Sequence, residues 1–160
     1  MRLPEREARR RLGMARVAIL ATATRTGLPH VVPVTFAVDG DLIFTAVDQV
    51  KPKATADLRR LRNIRANPAV AVLAEHYDDD WSALWWARAD GRASVTADPG
   101  AMAGPLRLLA ERYPQYRASP PAGPLIVIRA DRWTGWAASG AAARPASAAG
   151  PRSPASGCAS

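Results

Sequence analysis

Three groups of side chains in this sequence have types and spacing suited to chemistry. The first is the lysine pair Lys51 and Lys53, bracketing Pro52 in the run VKPKATADL. The chain carries 22 basic residues, and all the others are Arg, so two ammonium groups in one short loop point to a compact positive charge used locally. Pro52 stiffens the loop, which runs into the start of a basic helix whose free N–H groups favour an anion. Arg59 or Arg60 would reach the same anion one turn later as a bidentate clamp. A solvated loop and a solvated helix face are the alternative.

The second group is tryptophan. Trp85 and Trp86 are adjacent, so on a strand they point to opposite faces, one into the core and one outward. An outward Trp serves a subunit contact or the wall of a site for a flat ring. Trp133 and Trp136 repeat the arrangement near the end of the last strand. The third group is the imidazoles, His30 and His76. His30 opens a strand, where a hydrogen-bonded structural role competes with a functional one. Asp78, Asp79 and Asp80 form an acidic run, read as a solvated loop rather than a cation site because no further carboxylates flank it.

Other chemistry is excluded by scarcity. The one cysteine, Cys158, permits neither an internal disulfide nor a thiolate metal centre. No Ser/His/Asp or Cys/His set, glycine-rich phosphate loop or paired carboxylates stands out. No protein side chain is therefore assigned as catalytic, and no metal is expected. A net charge of +8 suits a polyanionic partner. Nucleic acid is one such partner, but no helix-turn-helix, zinc finger or aromatic RNA-binding sheet motif is present. No apolar run spans a bilayer, and no apolar segment follows the charged N-terminus. A soluble, cytoplasmic protein without membrane or nucleic-acid partners is expected.

The elements that must position these residues are mostly strands. The 160 residues include 34 Ala, so much of the bulky packing falls to a few aromatics. Residues 139–160 contain only Ser, Gly, Ala, Arg, Pro and Cys and read as a disordered tail, leaving one folded domain over residues 1–138. Glu5 to Leu12 reads as a helix and Val17 to Thr24 as a strand. HVVPVTFAVDGDLIFTAV reads as a hairpin with Asp39-Gly40 at a type I′ turn, pairing Val38 with Asp41 and Phe36 with Ile43. Pro33 belongs at an edge. A basic helix over Ala54 to Ala66, a strand over Ala69 to His76 and a long strand over Leu84 to Ala97 with a bulge at Gly91 follow. A helix from Gly104 to Tyr113 and a last strand from Leu125 complete six strands. This mainly β pattern predicts an antiparallel barrel with short helices plugging its ends.

The order of strand, turn, HVVPVTFAVDGDLIFTAV, KPK, basic helix ending RNIRANP, AVAVL and a long strand with a mid-strand Gly resembles the pyridoxamine 5′-phosphate oxidase-like superfamily. Within it the chain is similar to small proteins classed as F420-dependent oxidoreductases, over roughly residues 3–138. DWSALWWARADGRA, ERYPQYRA and RADRWTGWAA carry the finer likeness. The resemblance implies a six-stranded Greek-key split barrel of the FMN-binding type, assembled as a homodimer with cofactor grooves between subunits. The cofactor would be coenzyme F420, or alternatively FMN. Its ring would lie near His30, Val32, Pro33, Val34, Thr45 and Ala46, and its phosphate near Lys51, Lys53 and Arg60. Relatives often carry Lys in a K-x-x-N-L pattern where this chain has Arg60. The partner subunit would add a wall from Trp85 or Trp86 with Arg88. Reduced F420 would then pass a hydride to an activated double bond of a small organic substrate. An FMN-dependent enzyme, or a non-catalytic F420 carrier, uses the same fold.

Overall fold

The computed structural model describes residues 1–47 and 58–138. Helix α1 (Glu5–Met14) precedes strands β1 (Ala18–Ala23), β2 (Pro29–Val34), β3 (Ala37–Asp39) and β4 (Leu42–Ala46). Helix α2 (Arg59–Ala66), strand β5 (Ala69–His76), a 3₁₀ turn (Trp81–Ala83) and strand β6 (Trp85–Thr96) follow. Helices α3 (Pro99–Arg112) and α4 (Gln115–Ala118) lead into β7 (Leu125–Ala137). The expected tail and the segment carrying Lys51 and Lys53 lie outside the described residues.

The strands form one antiparallel sheet in the order β2-β1-β5-β6-β7-β4-β3. Its two edge strands are consecutive in the chain, separated by Thr35 and Phe36 alone. A flat sheet of this size is roughly 29 Å across, whereas the chain from Val34 to Ala37 reaches at most about 11 Å. The sheet must therefore curl until its edges approach, which makes a barrel with a seam. Tyr113 fastens the seam: its oxygen accepts from the Phe36 N–H at 3.1 Å and lies 3.0 Å from the Phe36 carbonyl. Tyr116 meets the Thr35 hydroxyl at 2.7 Å.

Seven strands replace the expected six because the stretch from His30 to Asp39 breaks at this seam. The hairpin also differs. Asp39 pairs with Leu42 and Val38 with Ile43, so the turn centres on Gly40-Asp41. Only Gly40 has a positive φ, at 58°, the pattern of a type II′ turn. The pairing has slipped by two residues, an even number, so every side chain keeps its expected face.

The barrel interior holds Leu20, Phe36, Ile43, Val72, Ile126, Ile128 and Trp133. The fully buried side chains it receives from β6 are Ala87, Ala89 and Ala93, with Trp85 and Val95 packed at the margins, and the small residues let α1 lie close and insert Leu12. That is one use of the alanine-rich composition. On the opposite face, α3 and α4 cover Ala37, Phe44, Ala46 and Leu125 with Met102, Leu109 and the two tyrosines. Among the described residues the outer face of β1 and β2 carries no such cover, and Val17, Ile19 and Val31 stand exposed there.

One ion cluster fastens α1. Glu7 accepts from Arg10 Nε at 2.8 Å and from Arg11 Nε at 2.7 Å, and the buried Arg11 lies over the Trp85 ring. The Arg10 hydrogen bond, supported by Arg11, holds the Glu7 carboxyl down at about 2, well below its ordinary 4.5. The folded state thus binds this proton more weakly than the unfolded chain, so the stabilisation is complete above about pH 4.5 and fades towards pH 2. Glu7→Gln is expected to lower the melting temperature at pH 7, and thermal scans down the pH series should show that gap closing near pH 2.

Candidate functional site

The inward face of β2 carries His30, Val32 and Val34, paired with Thr22, Leu20 and Ala18 of β1. The opposite face carries Val31 and Pro33, both exposed, on an edge strand that tolerates proline. Helix α2 is anchored over this end of the barrel by the Asn63 side-chain amide, which donates to the buried Thr22 hydroxyl at 3.0 Å. Because Thr22 is the ladder partner of His30, the same anchor brings the first turn of α2, with Arg59 and Arg60, beside the imidazole.

His30 is the centre of this half of the site. Its Nδ1 is buried without a hydrogen-bond partner among the described residues. Burial, then the positive charges of Arg59 and Arg60, push its pKa below the ordinary 6.5. An imidazole with an unsatisfied nitrogen, near enough to two guanidiniums to feel their charge, is a cradle for an anion, because an added negative charge is attracted to all three groups. Arg59, which the likeness to relatives leaves aside, joins Arg60 here. Thr45 is buried on the inward face of β4 between Ile43 and Val47, while Ala46 packs under α3 with Phe44. These two lie across the seam from β2.

The tryptophans separate as strand alternation requires. Trp85 turns inward beneath Arg11 and stacks on His76, with ring centroids 6.4 Å apart. Trp133 is 4% exposed, in the core, with the Arg9 guanidinium 5.2 Å over its ring. Trp86 and Trp136 are ladder partners on the outer face, 36% and 40% exposed. They border a surface pocket of about 340 Å³ lined also by Arg2, Arg88, Arg132, Thr134 and Gly135. Of the two candidate walls, Trp86 with Arg88 is therefore outward and Trp85 is not. Arg2, Arg132 and Trp136 were not singled out as one site by sequence reasoning. They meet through the pairing of β6 with β7 and the bridge from Arg2 to Trp136.

The acidic run folds into a turn, with an Asp78 carboxylate oxygen also 3.7 Å from His76 Nε2. Asp78 accepts from the Asp80 N–H at 2.9 Å and Asp80 from the Ser82 N–H at 3.0 Å. Among the described residues, no three His, Cys, Asp or Glu side chains gather as a metal site, and no helix is long and apolar enough to cross a membrane.

Known proteins share this architecture. A conserved hypothetical protein of Mycobacterium tuberculosis superposes with a TM-score of 0.70 at 22% identity, over 92% of this chain and 93% of the other. A FAD-binding protein of Mesorhizobium loti gives 0.64 at 19%, over 84% and 95%. The FAD-binding protein of Mycobacterium smegmatis gives 0.55 at 14%, over 85% and 96%. At these identities the likeness is one of fold. Comparison with curated proteins returns no match. The sequence profile of pyridoxamine 5′-phosphate oxidase, however, matches residues 4–137, so the split barrel, its seam and the strands that carry both half-sites all fall within it, and the chain belongs to the pyridoxamine 5′-phosphate oxidase family.

Proposed function

We propose that this chain is a homodimeric oxidoreductase that binds coenzyme F420 between subunits and reduces a small organic molecule. The observation that carries the reading is the buried His30 Nδ1, unpartnered among the described residues, beside Arg59 and Arg60; the family resemblance sets the ring at His30 and the phosphate at Arg60, and this juxtaposition extends the phosphate end to His30. When bound, the deazaflavin ring supplies the hydride, and the accompanying proton comes from solvent or a nearby side chain.

The chain's own residues bind and orient. Arg59, Arg60 and His30 hold the phosphate end, with Lys51 and Lys53 assigned to the same end on sequence grounds. The inward face of β2 supports the ring. The Trp86 and Arg88 wall lies on the other face of the sheet, three strands along from β2, so one subunit cannot close both walls around one molecule. A second copy can, and the exposed apolar face of Val17, Ile19 and Val31 gives it a surface to bury.

F420 is preferred to FMN because its acidic tail suits a chain of net charge +8. The FMN reading is favoured by the flavin-binding description of two structural neighbours. Separate fluorescence titrations with F420 and FMN decide between them. Tight F420 binding that weakens about tenfold in Lys53→Ala is expected. Binding of FMN alone would establish the alternative, and binding of neither would refute the site. Turnover assays with reduced F420 and candidate substrates separate an enzyme from a carrier.

A further inference from the structure

We propose that the pocket between β6 and β7 binds a planar aromatic carboxylate. That this molecule is the oxidoreductase's second reactant rests on the function proposed above; that the pocket binds it does not.

The floor is set by register. Trp86 and Trp136 are directly opposed in the ladder, which brings their Cβ atoms to about 5 Å and sets two indoles side by side on the sheet's outer face. Both remain partly open to solvent, and two such rings offer a stacking surface for one flat ring. A volume of about 340 Å³ suits one or two fused rings.

The rim is cationic and already ordered. Asp90 accepts from Arg88 Nε at 2.9 Å and Nη2 at 3.0 Å, and from Arg132 Nη2 at 3.1 Å. Two contacts orient the Arg88 guanidinium before any ligand arrives, and one tethers Arg132 beside it, which lowers the ordering cost of binding. Arg2 adds a third cation, so one carboxylate among three guanidiniums leaves the rim positive. A carboxylate conjugated to the ring shares its plane, so the ring can lie on the indoles while two oxygens face the edge of a guanidinium.

The most specific feature is Thr134. Thr134 lines the pocket, and its hydroxyl is buried at that wall without a hydrogen-bond partner among the described residues. A buried unpaired hydroxyl is costly, and a carboxylate oxygen held by Arg88, its ladder partner, would satisfy it.

The test is isothermal titration calorimetry of the full chain with 2-naphthoate and its uncharged isostere 2-naphthamide. Naphthoate is expected to bind at least tenfold more tightly. Arg88→Gln should reduce its affinity about tenfold, whereas Arg107→Gln, which removes the same charge from the exposed face of α3, should not. Thr134→Val should weaken naphthoate several-fold with the melting temperature unchanged or raised, an outcome a purely structural threonine would not give. Equal affinity for the acid and the amide, or no effect of Arg88→Gln and Thr134→Val, overturns the proposal. Cofactor titrations on the same preparation separate the two claims: cofactor binding without acid–amide discrimination refutes this pocket alone, and discrimination without cofactor binding refutes the proposed function alone.

Discussion

Gly91→Ala is expected to lower the melting temperature by roughly 10 °C, the consequence of about 3 kcal/mol of steric conflict in a domain of this size. Ladder pairing runs Asp90 with Arg132 and then Gly91 with Ala130, so Asp131 is the extra residue of a bulge in β7. A Cβ at Gly91 would collide with the Arg129 carbonyl oxygen and lie 2.9 Å from the Ala130 Cα. Both are backbone atoms held in the ladder, so neither yields as a flexible side-chain tip would. The damage should extend to function, because the bulge is next to Asp90, which orders Arg88 and Arg132. Gly13→Ala is the contrasting variant. A Cβ there meets only the Val38 side chain at 3.9 Å, an ordinary contact, and inside α1 alanine is favoured over glycine by up to about 1 kcal/mol. Thermal denaturation of the two variants should therefore move in opposite directions. An unchanged melting temperature for Gly91→Ala would mean that the close β6–β7 approach is not a constraint.

What could be read beforehand followed how local its cause was. The strand from Ala69 to His76 was legible end to end, since its apolar run is bounded by Asn67-Pro68 and the acidic turn. The bulge was expected at Gly91 for the right reason, but the inserted residue is Asp131 on the facing strand, which no local signal on β6 identifies. The seam at Thr35-Phe36 was missed because β-rich composition continues through it. Its cause lies 77 residues away, in the Tyr113 phenol. Helix α3 begins at Pro99, earlier than the expected Gly104, because Pro105 inside it disguises the first turn. The Asp98 side chain, which accepts from the Ala101 N–H at 2.8 Å, was the available capping signal. At the site, strand alternation correctly separated Trp85 from Trp86 without saying which faced outward. That choice depends on α1 covering the inner face. His30 was legible as a candidate, but its charge environment was not, since it depends on the packing of α2 against β1 through Asn63 and Thr22.

Removing Arg59 and Arg60 together as alanines should lower cofactor affinity about 100-fold, since two charge-assisted contacts to a phosphate contribute together about 3 kcal/mol. The same variant makes a second prediction that needs no cofactor. Burial and then the two arginines hold the His30 pKa below 6.5, so the folded protein binds that proton more weakly than the unfolded chain. His30 therefore has no effect on stability well above pH 6.5 and lowers it as pH falls below that value. Deleting the arginines removes the Coulombic part of the penalty and leaves the burial part. The His30 pKa, read from its imidazole proton resonances, should rise towards 6.5 without fully reaching it. The variant should also lose less stability than the parent between pH 7 and pH 5. An anion bound to the intact site should raise the same pKa, because it supplies the missing negative charge; binding would then take up a proton, seen as a buffer-dependent heat in calorimetry. Loss of cofactor affinity without any movement of the His30 resonances would place the phosphate elsewhere, on the Lys51 and Lys53 loop alone. Movement of the pKa without loss of affinity would mean that His30, Arg59 and Arg60 form a charge cluster that the cofactor does not touch.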